Sequence, residues 1–169
     1  MKTINVSGIE MSEFALGAGK RGPVENDRAV FAVMDRYLEL GGNTFDSARM
    51  YAGGMSDEAL GRWLKRTGMR NRAVIVAKGC FPADPKKMHI SRLSPEEIRQ
   101  DLEESLKAIG IDCTDFYLLH RDNPRIPVSE IMPTLDALVK EVVRIDDDAV
   151  LLLFDGALEN FRNHITNLG

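Results

Sequence analysis

The spacing of apolar residues changes along the chain from alternation to helical steps and back, and each change marks an element. Residues 4–6 and 9–11 are short apolar-rich runs either side of Ser7-Gly8, a two-residue turn signal, which predicts an N-terminal hairpin. Residues 14–19 then read as a short strand ending in glycines. From 25 to 40, Val30, Val33, Met34, Tyr37 and Leu40 recur at steps of three and four, predicting a helix with one buried stripe that Gly41 and Gly42 stop. Residues 43–48 form a second strand, and Ser56-Asp57-Glu58 opens a helix carrying Leu60, Trp63 and Leu64 that Gly68 closes. Residues 74–77 are small and β-branched on both faces, as in a strand covered on two sides.

After a long loop over 80–93, Ser94-Pro95-Glu96-Glu97 is a capping box with proline at the first helical position. Ile98, Leu102, Leu106 and Ile109 line that helix until Gly110. Residues 116–119 are a fourth strand and 128–142 a fourth helix. A hairpin followed by four strand-helix pairs predicts a parallel sheet joined by helical crossovers. Beyond it, 150–154 and 157–167 read as a fifth strand and a short helix, joined by the turn Asp155-Gly156.

Composition narrows the function without naming it. The 169 residues are about one domain's length, 44% hydrophobic and 28% charged, as for an ordinary globular protein. A formal net charge of -4 argues against a nucleic-acid or anionic-membrane surface. The group Lys65, Arg66, Arg70 and Arg72 reads as a solvated helix C-terminus whose cations complement the dipole. Cys80 and Cys113 fit neither a disulfide framework nor a zinc site, and a reducing cytoplasm is expected. No window reaches the roughly 18 apolar residues that span a bilayer. The run Asp146-Asp147-Asp148 reads as a solvated loop rather than a metal site, and His89 and His164 lack partners at ligand spacing.

The chemistry lies where apolar runs end. Side chains alternate along a strand, so Thr44 and Asp46 share one face, as do Val74, Val76 and Lys78, and Phe116, Leu118 and His120. The polar group comes last in each series. If these faces meet, Asp46, Lys78 and His120 converge at the carboxyl end of the sheet, and Tyr51 reaches in from the loop. An ammonium beside a phenol stabilises phenolate, a carboxylate holds that ammonium charged, and a histidine can hydrogen-bond a substrate oxygen. Such a group suits protonation of a carbonyl oxygen as hydride reaches carbon, which requires a cofactor. Taken singly, each residue has a plainer explanation: Asp46 capping a turn, Tyr51 packing on the sheet, Lys78 pairing with a helix carboxylate, His120 a satisfied rim residue. In the 80–93 loop, Phe81, Met88 and His89 are candidate walls of a substrate pocket.

The segment Gly41-Gly42-Asn43-Thr44-Phe45-Asp46-Ser47-Ala48-Arg49-Met50-Tyr51, Gly61 in its helix, the Val76-Ala77-Lys78 strand and Leu118-Leu119-His120-Arg121-Asp122 resemble the aldo/keto reductase family. The resemblance implies a (β/α)8 barrel plugged by the hairpin, NADPH as cofactor, a small carbonyl substrate, and Asp46, Tyr51, Lys78 and His120 as catalytic tetrad. Tyr51 would be the general acid and His120 would orient the carbonyl. Such a barrel takes about 250 residues. The expectation is therefore a half barrel over 1–142 and a divergent tail over 143–169, with the family's cofactor-binding positions unassigned. Half a barrel leaves sheet edges and an interior face holding Val76 and Leu118 open to water, so a homodimer covering the opening is expected. The alternative is an inactive truncated reductase serving as a binding module.

Overall fold

The protein is described as a computed structural model covering residues 1–18, 23–82 and 84–142. The expectations for 143–169, namely the tail, its strand and helix, the Asp146–Asp148 run and His164, lie outside the described residues. Strands β1 (Thr3–Val6) and β2 (Ile9–Ser12) pair antiparallel. Ser7 and Gly8 both take positive φ, 51° and 82°, as a tight hairpin turn requires. A four-stranded parallel sheet follows in the order β3 (Leu16–Gly17), β4 (Thr44–Asp46), β5 (Val74–Gly79) and β6 (Phe116–Leu119). Helices α1 (Asp27–Glu39), α2 (Met55–Thr67), α3 (Pro95–Ile109) and α4 (Val128–Val142) follow the strands in turn.

Alternation along the strands divides the apolar residues between two faces. Phe45 and Ile75 pack with Val30, Met34, Leu60 and Trp63 of α1 and α2. Tyr117 and Leu119 pack with Ile98, Leu102, Leu135 and Leu138 of α3 and α4. The opposite face carries Val74, Val76 and Phe116, against which Val6, Ile9, Met11 and Leu118 pack. This corrects the expectation of an interior left open to water for Val76, whereas Leu118 stays partly exposed. Val76 is only 7% exposed, because the hairpin lies across the face that holds it.

Local chemistry explains where elements start and stop. Ser94 Oγ accepts from the Glu97 amide and the Glu97 carboxylate accepts from the Ser94 amide, so the capping box forms as read, with Gly110 closing α3 in the left-handed conformation. Helix α2 differs: it opens at Met55 behind Gly54, and Ser56 donates its hydroxyl to the Ala18 carbonyl instead of capping. The strand expected over 14–19 shrinks to the two residues of β3, and a 3-10 turn (Val24–Asn26) precedes α1. On α1 the stripe is narrower than its periodicity implies: Val30, Met34 and Tyr37 are buried, whereas Val33 and Leu40 are 47% and 51% exposed. They stand at the margin of a stripe that three residues already fill.

Candidate active site

The carboxyl ends of β4, β5 and β6 bring Asp46, Lys78 and His120 together, and the loop after β4 adds Tyr51. Register does most of this. Asp46 pairs with Val76 and Lys78 with Leu118, so the three strand-end groups follow one another across the sheet. Two amides of the loop after β4, those of Ser47 and Arg49, donate to the Val76 and Lys78 carbonyls at 2.9 Å each, so the chain keeps running alongside β5 past the end of β4. The His120 amide likewise donates to the Gly79 carbonyl at 2.9 Å, which holds the imidazole one step beyond β6. Tyr51 then begins a 3-10 turn (Tyr51–Gly54), its amide donating to the Ala48 carbonyl at 2.9 Å.

Lys78 is the centre of the cluster. Its Nζ lies 2.8 Å from Asp46 Oδ1 and 3.1 Å from Oδ2, and 5.3 Å from the centre of the Tyr51 ring. The lysine side chain is 7% exposed and the aspartate 27%. Burial works to lower the lysine pKa, but hydrogen bonding and charge attraction to Asp46 and Tyr51 outweigh it, so the pKa rises above the ordinary value. The ammonium is thus held charged next to a phenol. Tyr51 and His120 meet edge to face with ring centres 5.5 Å apart, and Phe81 lies 4.9 Å from His120 on its other side. A cavity of about 480 Å³ reaches Lys78 and Phe81 from the side of Arg49, Arg92 and Glu104. Among the described residues no cluster of His, Cys, Asp or Glu is arranged to hold a metal.

Around the tetrad lie polar groups that the sequence reading did not single out. Arg49 Nε donates to Glu104 Oε2 at 2.6 Å, tying the Tyr51 loop to α3. Asp57 is fully buried and accepts hydroxyl hydrogen bonds from Ser47 and from Ser105, the latter at 2.8 Å. Asp101 accepts from the Cys80 amide at 2.6 Å and pairs with both terminal nitrogens of Arg92 at 2.9 Å, which fixes the chain just past β5. Ser47 and Arg49 lie inside the segment that carries the family resemblance. Their partners lie on other elements, Asp57 on α2 and Glu104 on α3, and no periodicity links them.

The apolar core, the hairpin plug and this rim agree with what comparison with known proteins finds. Residues 14–141 match the aldo/keto reductase family. The NADP(+) aldo-keto reductase yakc of Schizosaccharomyces pombe is 35% identical over 116 residues, covering 68% of this chain and 34% of that protein. An aldo-keto reductase of Bacillus halodurans in its holo form superposes with a TM-score of 0.80 at 24% identity, covering 99% of this chain and 54% of that one. An aldo-keto reductase of Klebsiella pneumoniae in complex with NADPH gives 0.69 at 25% identity over 83% and 46%. The chain thus spans about a third of the first curated relatives and about half of these solved reductases. Its hairpin and four parallel strand-helix units are that part of a (β/α) barrel, and the chain belongs to the aldo/keto reductase family.

Proposed function

We propose that this chain carries the proton-donating part of an NADPH-dependent carbonyl reductase, with Asp46, Tyr51, Lys78 and His120 as its catalytic residues. The observation that carries the reading is the relay from Asp46 through the Lys78 ammonium to the Tyr51 phenol, 2.8 Å in its first step and 5.3 Å to the ring in its second. Tyr51 gives its hydroxyl proton to the carbonyl oxygen of an aldehyde or ketone. Lys78 stabilises the phenolate that remains, and Asp46 keeps the ammonium charged and in place. His120, held edge-on to Tyr51, donates to the same oxygen and sets its position. None of the four side chains can supply two electrons, so the donor set itself calls for a redox cofactor.

NADPH, when bound, supplies the hydride, and the alcohol follows from one hydride at carbon and one proton at oxygen. The Schizosaccharomyces pombe relative is an NADP(+) aldo-keto reductase and the Klebsiella pneumoniae reductase is in complex with NADPH, which favours the phosphorylated cofactor. Among the described residues no helix is long and apolar enough to cross a membrane. The test is titration of the protein with NADPH by fluorescence, followed by its consumption with 4-methylbenzaldehyde. Binding with turnover that disappears in Tyr51→Phe supports the reading. Turnover that survives in Tyr51→Phe removes the tyrosine as proton donor, and absence of binding at millimolar cofactor removes the reductase reading in favour of a non-catalytic binding module.

A further inference from the structure

A second cavity lies on the same rim, on the far side of Phe81 from Tyr51. It holds about 180 Å³ between the loop after β5 and the loop after β6, with His89, Ser91 and Arg92 on one wall and Arg121, Asp122 and Arg125 on the other. That volume suits one carboxylate or phosphate group and is too small for a cofactor. We propose that this cavity is a binding site for a small oxyanion, held by Arg121 and Arg125 with the Ser91 hydroxyl.

Three observations point there. Ser91 Oγ is buried with no hydrogen-bond partner among the described residues, and an unmet buried hydroxyl costs about 1–3 kcal/mol, so an acceptor arriving in the cavity would be stabilised by it. Arg121 gives one nitrogen to the Met88 carbonyl at 2.9 Å, which steers its guanidinium across the gap between the loops and leaves its other N–H groups available. No carboxylate among the described residues pairs with Arg121 or Arg125, whereas Arg49, Arg62, Arg66, Arg70, Arg92 and Arg99 each have one.

The opposing charges have been placed as well. Arg92 contributes little, since Asp101 and Glu97 occupy it at 2.9 and 3.2 Å, and Asp122 brings one carboxylate to the lining. Two unpaired guanidinium groups against one aspartate still favour an anion. The Cys80 thiol on the floor is pushed up to about 12 by burial and by Asp101, so it stays neutral and does not repel one. The Arg121 guanidinium lies 5.9 Å from the centre of the Phe81 ring, which in turn lies 4.9 Å from the centre of His120. An oxyanion here sits next to the proposed carbonyl site.

The same chemistry can come from the acidic tail of a carbonyl substrate or from a separate small acid, and the experiment has an arm for each. Inorganic phosphate is titrated by calorimetry into the wild-type chain, the Arg121→Gln/Arg125→Gln pair, Ser91→Ala, and Lys107→Gln as a control that removes one positive charge on α3. The site requires one phosphate per chain in the wild type, at least about tenfold weaker binding in the arginine pair, a smaller loss in Ser91→Ala and none in Lys107→Gln. Equal affinity in the arginine pair, or an equal loss in Lys107→Gln, overturns it. The ratio of kcat/KM for 4-carboxybenzaldehyde over 4-methylbenzaldehyde then identifies the source. A ratio that falls about tenfold in Arg125→Gln assigns the oxyanion to the substrate, and a constant ratio with phosphate binding lost assigns it to a separate acid. This second arm rests on the reductase reading. If neither aldehyde turns over, that reading fails and the phosphate titration still decides the site.

Discussion

Arg49 Nε sits 2.6 Å from Glu104 Oε2, so an ion pair between a loop and a helix 55 residues later in the chain fixes the segment that presents Tyr51. The Arg49 amide is bonded to the Lys78 carbonyl, and a side chain at Gly54 would collide with the Arg49 guanidinium. The pair therefore holds the loop from both sides of the 3-10 turn. With the partners 31% and 39% exposed, solvent screening limits its contribution to about 0.5–1 kcal/mol. The Gln100 and Arg49 hydrogen bonds hold the Glu104 carboxyl below its ordinary pKa of 4.5. The stability this gives is present above that value and is lost as pH falls through the lowered one. Glu104→Gln is therefore expected to lower stability at neutral pH, to match wild type in strong acid, and to raise amide exchange over residues 49–54. Unchanged exchange there would show that the pair does not restrain the loop.

Helices α2 and α3 meet at Gly61. A Cβ built there would stand 2.8 Å from the Ile109 carbonyl carbon and 2.9 Å from its Cα, and backbone atoms at a helix end cannot swing aside as a side chain does. Gly61→Ala must push the two helices apart, at a cost of about 1–3 kcal/mol. Gly68→Ala is the comparison: it meets nothing within 4 Å, but its φ of +66° leaves a backbone penalty of about 1 kcal/mol. Urea midpoints should rank wild type above Gly68→Ala above Gly61→Ala. The reverse order of the two variants would place the close contact elsewhere.

How far the sequence could be read depended on whether a feature is local. The bounds of β6 and α4, and the capping box at Ser94, are set within a few residues of themselves and were legible. Asp46, Lys78 and His120 were legible as neighbours because each ends an apolar run on the same face as the run, and parallel register then places the ends together. Val33 and Leu40 carry the helical period of α1, yet a helix on a sheet buries only the residues facing it, and periodicity does not say how wide that stripe is. The Ser105 to Asp57 bond and the Arg49 to Glu104 pair depend on how α3 approaches the rim, which no local pattern encodes. The interior face read as exposed because the hairpin's placement over Val74, Val76 and Phe116 is tertiary.

The Lys78 ammonium gives a pH test of the relay. Its pKa lies above the ordinary 10.5 because the Asp46 and Tyr51 attractions overcome burial. A group raised on folding adds stability that is fully present below its unfolded pKa and disappears as pH rises through the folded one. The stability of wild type relative to Lys78→Met should therefore be flat from neutral pH to about pH 10 and decline above it. The variant leaves Asp46 without its cation, so it should also lose at least about a hundredfold in turnover while keeping its far-ultraviolet circular dichroism. A stability difference that varied around neutral pH would mean that another group, not the lysine, titrates with the pair.

Asp57 reverses the sign. It lies in the first turn of α2, where the helix dipole favours an anion, and it accepts hydroxyls from Ser47 and Ser105. Complete burial nevertheless dominates and raises its pKa above the ordinary 3.8. The folded state then takes up a proton at higher pH than the unfolded chain does. Ionised Asp57 lowers stability at neutral pH, and that deficit shrinks as pH falls through the folded pKa and is gone below 3.8. Asp57→Asn keeps the shape without the charge: one serine hydroxyl goes on donating to the amide oxygen while the other turns to accept from the amide nitrogen. It should be more stable than wild type at pH 7 and lose that advantage in acid. Ser105→Ala removes a donor from the buried carboxylate and should cost about 1–3 kcal/mol at pH 7, and less in acid. Urea unfolding at a series of pH values measures both, and an Asp57→Asn protein less stable than wild type at neutral pH would mean that the hydroxyls and the helix dipole outweigh burial.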